Sequence, residues 1–144
     1  MAVKPIPDGY HSVTPYLVVK GIPRLLEFLK KAFGAEVTEN VPGPDGNPTH
    51  AEVKIGDSRV MMGESRAEHP PMPGMLYLYV TDCDAAYQRA IAAGGASIQP
   101  PTDQFYGDRS GAVKDPCGNQ WWMATRKENL SPAEIAKRAA SAHK

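Results

Sequence analysis

"MLYLYV" (Met75–Val80) repeats, 61 residues on, the pattern of "TPYLVV" (Thr14–Val19). At the same displacement "GAEV" (Gly34–Val37) falls on "GASI" (Gly95–Ile98), and "DSRVMM" (Asp57–Met62) falls on "GNQWWM" (Gly118–Met123), since 75−14, 95−34 and 118−57 all equal 61. Identities are few, but three registers agree without a gap, and each matches in hydrophobic pattern. The chain therefore reads as one unit written twice, and that reading decides the fold.

Each copy opens with an alternating, strand-type run. A helical stretch follows. In "GIPRLLEFLKKAFG" residues Leu25, Leu26, Leu29 and Phe33 share one stripe; in "TDCDAAYQRAIAAGG" Ala86, Tyr87, Ala90 and Ile91 do. Asp82 suits an N-cap, and Gly34 and Gly94–Gly95 suit helix stops. Three short strands complete the copy, in the first at about Ala35–Val41, Thr49–Ile55 and Ser58–Gly63, the last two joined by the two-residue turn Gly56–Asp57. The expected fold is α+β: a βαβββ module over 10–63, a proline-rich linker over 64–74, a second module over 75–126 and a C-terminal helical tail over 127–144. The tail helix opens on the capping box "SPAE" (Ser131–Glu134).

Composition narrows the function classes. Sixteen basic residues balance sixteen acidic ones, so neither a nucleic acid nor an anionic membrane is an expected partner. No apolar run reaches membrane-spanning length, and "MAVKPIPDGY" lacks the features of a secretion signal, so a cytoplasmic setting is expected. Cys83 and Cys117 are then expected as free thiols. Cys83, beside a helix start, is a candidate for a lowered pKa. CxxC, HExxH and glycine-rich phosphate-loop motifs are absent from the sequence.

The tandem module, together with "PYLVV", "FLKKAFGAEV", "HAEVKIGDSRVMM", "QFYGDRSG" and "DPCGNQWWMAT", resembles the vicinal oxygen chelate superfamily: glyoxalase I, bleomycin-resistance proteins and extradiol dioxygenases. The resemblance covers about residues 10–126. It implies mixed sheets curled around a shared cavity with helices outside, and a homodimer in which modules pair within a chain or by exchange between chains. In metal-dependent members of the superfamily four inward side chains, commonly His or Glu, hold a divalent cation that grips the substrate. The matching positions here are Thr14, Met61, Met75 and Trp122. A hydroxyl, two thioethers and an indole are no ligand set for such a cation, so no cofactor is expected.

Strand parity extends the lining. With Thr14 and Met75 inward, Tyr16, Tyr77 and Tyr79 follow, and Trp122 faces the cavity while Trp121 enters the core. The Gly56–Asp57 turn pairs Glu52 with Met61 and puts His50 on the same face. The expectation is an aromatic cavity for a small hydrophobic or planar molecule, lined by Thr14, Tyr16, Met61, Met75, Tyr77, Tyr79 and Trp122. Asp108 and Arg109 of "FYGDRSG" are candidates either to clamp a polar group or to pin their loop. The alternative expectation is a lyase, isomerase or dioxygenase that uses His50 and Glu52 as base and orienting acid, or a divalent metal at a non-standard site.

Overall fold

The computed structural model describes residues 2–142. The two modules expected from the repeat are present. In the first, β1 (Tyr16–Val19) leads through α1 (Ile22–Phe33) to β2 (Glu36–Pro42), β3 (Pro48–Ile55) and β4 (Ser58–Glu64). The second runs β5 (Met75–Tyr79), α2 (Cys83–Ala92), β6 (Ala96–Asp103), β7 (Asp108–Lys114) and β8 (Gln120–Arg126), and α3 (Pro132–Ala142) closes the chain. Each module is one four-stranded mixed sheet, ordered β1-β4-β3-β2 and β5-β8-β7-β6. The first strand of each lies parallel to the last.

The repeat is less regular than an ungapped slide suggests. Tyr16 pairs with Met61 and Tyr77 with Trp122, a displacement of 61. The outer hairpins sit at 60: Glu36 pairs with Lys54 and Ala96 with Lys114, and 96−36 and 114−54 both equal 60. The structural partner of Gly34 is therefore Gly94, and both hold positive φ (64° and 105°), the conformation that lets a glycine stop a helix. The missing residue returns in the last turn, four residues between Lys54 and Arg59 but five between Lys114 and Gln120. Two compensating one-residue changes hide from a gapless comparison.

Local signals explain the helix ends. Asp82 accepts from the Ala85 amide and caps α2, and Ser131 accepts from the Glu134 amide at the start of α3. The cap of α1 comes from far away. Glu64, at the end of β4, accepts from the Gly21 and Ile22 amides at 2.8 and 3.0 Å. A carboxylate there satisfies two orphan donors and complements the helix dipole.

Ile22, Leu25, Leu26, Phe28, Leu29 and Ala32 of α1 are all buried. One side of α1 packs on β3 and β4 and the other on α2, while Phe33 reaches Trp121 of β8 with 5.4 Å between ring centres. Both helices and the helix-facing sides of both sheets form one core. The architecture is the expected α+β plan, with α1 and α2 packed on one face of each sheet and away from the open faces. Within one chain the sheets are not closed, because α1 and α2 bury their apolar stripes against each other and the opposite sheet faces stay open.

The segment between the modules is tied at both ends. Ser65 and Met72 donate to Val19 and Val18 of β1, and Gly74 donates to the Asn119 side chain. No helix among the described residues is long and apolar enough to cross a membrane.

Candidate functional site

Alternation along the strands divides each sheet cleanly. Leu17, Val19, Ala51, Val53, Val60, Met62, Trp121 and Met123 are buried towards the helices. Their neighbours of opposite parity lie on the open faces. Tyr16, Met75, Tyr77 and Tyr79 are 52, 64, 42 and 56 % exposed, a high figure for large apolar rings and thioethers in strands. Trp122 is half-buried beside Tyr77, and its indole N–H donates to Gln120.

On the first sheet the registers are those the two-residue turn implies: His50 opposite Gly63, Glu52 opposite Met61, Lys54 opposite Arg59. Chemistry then separates His50 from Glu52. Glu52 is 1 % exposed. It accepts from the Tyr10 hydroxyl at 2.6 and 2.7 Å, from Thr38 Oγ1 at 2.6 Å and from Arg59 Nη1 at 3.3 Å. The Arg59 guanidinium lies 5.0 Å from the Tyr10 ring centre and helps to seal the group. Burial pushes the Glu52 pKa up, but the Thr38 and Tyr10 hydrogen bonds and the Arg59 charge outweigh it and hold the carboxyl below its ordinary value.

That carboxylate has donors on both oxygens and suits a structural role for the segment before β1. A pH dependence follows. Because the folded pKa is depressed, the stabilisation is complete above the unfolded value of about 4.3 and is lost as pH falls through the lower folded value. Thermal melts between pH 6 and pH 3 should show a steeper acid loss for the parent than for Glu52→Gln. Equal slopes would remove Glu52 as the group responsible.

His50 has different partners. Its Nδ1 lies 3.2 Å from the Tyr16 hydroxyl and its Nε2 3.8 Å from Glu39. Gly63, across from His50, is what lets Tyr16 lie there: a Cβ at this position would sit 2.7 Å from the Tyr16 hydroxyl oxygen.

On the second sheet Asp108 is 2 % exposed and accepts from the Tyr77 and Tyr79 hydroxyls at 2.8 and 2.9 Å through one oxygen. Among the described residues its other oxygen has no hydrogen-bond donor, with Arg126 Nε 3.5 Å away. Burial, with Tyr106 and Asp108 alongside, pushes the Tyr77 phenol well above its ordinary pKa. Arg109 does not join Asp108, since adjacent strand residues face opposite ways. Instead it grips Asp84 of α2 at 2.8 and 3.0 Å and Asp103 at 3.2 Å, tying helix to sheet.

Thr14 precedes β1, so strand parity does not govern it. It lines a small cleft of about 110 Å³ with His11, Val13 and Arg59. Tyr16 lines a different cleft with Val18, Gly63, Arg66 and His69, and Tyr79 another with Phe33, Ile55 and Arg89. In one chain, then, the expected lining is divided between two open faces. The superfamily's cation does not fit the four matching positions, because a hydroxyl, two thioethers and an indole are the wrong donors for it. Among the described residues no three His, Cys, Asp or Glu side chains group as metal ligands.

The motif "DPCGN" is structural. Asp115 accepts from the Cys117 and Asn119 amides, from Asn119 Nδ2 and, at 2.8 Å, from the Trp121 indole. Asn119 in turn accepts from Gly74. One buried carboxylate thereby joins the β7–β8 turn to the core indole, and its amide neighbour holds the entry to β5. Both cysteines are free. Burial raises the pKa of each thiol, so the lowered value expected for Cys83 is corrected: its Sγ is inside, against the Met123 carbonyl, and Asp84 is nearby.

Tyr10, Thr38, Glu39 and Gly63 were not singled out from sequence. Only Gly63, a glycine within a strand-like run, carried a local signal of close approach.

Comparison with known proteins agrees with this architecture. Residues 9–123 match the family model of the Glyoxalase/Bleomycin resistance protein/Dioxygenase superfamily. The uncharacterized protein Mb0911c of Mycobacterium bovis is 34 % identical over 135 residues, covering 86 % of this chain and 89 % of that protein. Among solved structures, TioX from Micromonospora sp. ML1 superposes with a TM-score of 0.65 at 22 % identity, over 80 % of this chain and 99 % of that one. A lactoylglutathione lyase from Agrobacterium tumefaciens gives 0.63 at 20 % identity, over 85 % and 96 %. At those identities the structures speak for the fold alone. The chain belongs to the glyoxalase/bleomycin resistance protein/dioxygenase superfamily.

Proposed function

We propose that this protein binds a small planar or hydrophobic molecule against its open aromatic sheet faces, in a cavity completed by a second copy of the chain. The observation that carries the reading is the exposure of Met75, Tyr77 and Tyr79 beside half-buried Trp122 on the open face of the second sheet and of Tyr16 on that of the first. Aromatic rings lined up on a strand face stack flat ligands, and a few hydroxyls fixed by Asp108 orient them. Such faces are costly to leave in water, and the module-one face of one copy meeting the module-two face of another covers both symmetrically. Binding needs no bound cation and no acid–base pair, consistent with the donor set at the four matching positions and with Glu52's existing partners.

Light scattering coupled to size exclusion should give twice the 15.6 kDa chain mass. Titration with a planar aromatic probe such as 8-anilinonaphthalene-1-sulfonate should saturate at a fixed ratio per dimer, and Trp122→Ala should weaken it about tenfold, the effect of one lost stacking contact of about 1.4 kcal/mol. A monomer with unsaturable dye uptake would overturn the reading, and so would stoichiometric zinc, nickel, manganese or iron in protein purified without a chelator or tag.

A further inference from the structure

The cleft of about 520 Å³ on the first sheet is lined by Tyr16, Val18, Thr49 and Gly63 of the strands and by Arg66 and His69 of the inter-module segment, with Glu64 and Ser65 at the junction. It holds one carboxylate, Glu64, and one guanidinium, Arg66, which are not paired with each other. Glu64 is the acidic residue in the lining, and both its oxygens are engaged by the Gly21 and Ile22 amides of α1. Arg66 and His69 make main-chain hydrogen bonds to each other, and among the described residues neither side chain has an ion-pair partner within 4.0 Å. A solvent-exposed guanidinium with free donors therefore borders a cleft whose other walls are a phenol, a valine, a threonine, a serine, an imidazole and the Glu64 carboxylate, whose acceptors are taken by the α1 amides.

The phenol is held, not loose. Tyr16 Oη sits 3.2 Å from His50 Nδ1, and the pair shares a face with 5.7 Å between ring centres. Glu39 stands 3.8 Å from the far imidazole nitrogen. Gly63 supplies the room, because any Cβ there would fall 2.7 Å from the Tyr16 hydroxyl. Three residues on three strands thus fix one hydroxyl beside a guanidinium that has no ion-pair partner among the described residues.

We propose that this cleft binds a small monocarboxylate with an apolar body: Arg66 pairs with the carboxylate, the Tyr16 hydroxyl hydrogen-bonds to it or to an adjacent oxygen, and Val18 and the Tyr16 ring take the apolar part. One planar guanidinium matches one carboxylate in two parallel hydrogen bonds, whereas a phosphate dianion calls for more donors. The inference rests on the proposed small-molecule reading and deepens it by naming a ligand class for the Tyr16 face, whose lining residues all belong to one module and the segment after it.

The test is calorimetric and NMR titration of the full chain with benzoate, benzamide and inorganic phosphate. Benzoate should bind at one site per chain and shift the amides of residues 63–69; benzamide should bind at least about tenfold more weakly. Arg66→Gln should weaken benzoate at least about tenfold and Tyr16→Phe by a smaller factor, each with an unchanged melting temperature, while Arg138→Gln on α3 should leave it as in the parent. Gly63→Ala, which moves Tyr16 without removing a charge or hydroxyl, should weaken benzoate as Tyr16→Phe does. No saturable benzoate binding, equal affinity for benzamide, indifference to Arg66→Gln, or phosphate bound more tightly than benzoate would each overturn the assignment. The readout is local to residues 63–69, while dimerisation is read by light scattering and dye binding by Trp122→Ala, so failure of this assignment is distinguishable from failure of the two-chain reading.

Discussion

Trp121→Ala should lower stability by about 4 kcal/mol, while Trp122→Ala, one residue on, should cost about 1 kcal/mol or less. Trp121 is 1 % exposed, packs on Phe33 of α1 and gives its indole proton to buried Asp115. Truncation leaves a cavity where the two modules meet and strips a donor from a buried carboxylate oxygen. Trp122 lies on the open face, with Gln120 as its hydrogen-bond partner. For a chain of this size the first change corresponds to a fall in Tm of roughly 10–15 °C and the second to a few degrees. Urea melts of both variants decide it. Equal losses would mean that the two indoles share an environment and that the division into core face and open face is wrong.

Asp115→Ala should cost about 3–4 kcal/mol, although a surface-turn aspartate ordinarily matters little. Asp115 is 4 % exposed and takes four hydrogen bonds, from two backbone amides, an amide side chain and the Trp121 indole. Its removal strands several buried donors at once, each costing about 1–3 kcal/mol before the turn relaxes. Asp115→Asn keeps one acceptor oxygen but sets an N–H₂ group against existing donors, so it should fall about midway. The Asp115 and Trp121 effects share a bond, and the double variant should lose less than the two singles added. Strict additivity would show that the indole–carboxylate bond contributes nothing. A neutral Asp115→Ala would show that the turn holds itself.

Where the rules in the sequence are local, they were readable. The period-two alternation of Met75–Tyr79 predicts which side chains share a face whatever the face meets, and the two-residue turn at Gly56–Asp57 sets the β3–β4 register by chain geometry alone. The caps at Asp82 and Ser131 act over three residues. Thr14 escaped because strand parity ends where β1 begins, at Tyr16.

The pairing of Glu52 with Tyr10 spans 42 residues, that of Tyr16 with His50 34, and the Glu64 cap of α1 42–43. None has a sequence period, since each depends on how a loop or strand end returns to the sheet. Tertiary structure therefore decided that His50 and Glu52, neighbours on one strand face, serve different partners. It also decided that the helices pack together in the middle of the chain and leave the aromatic faces open. Sequence by itself determined the duplicated βαβββ plan and the side of each strand that is apolar, because those follow from backbone geometry over a few residues. Which apolar side is buried within the chain and which is left for a ligand or a second copy follows from long-range packing, where burial against α1 and α2 outweighs any local preference.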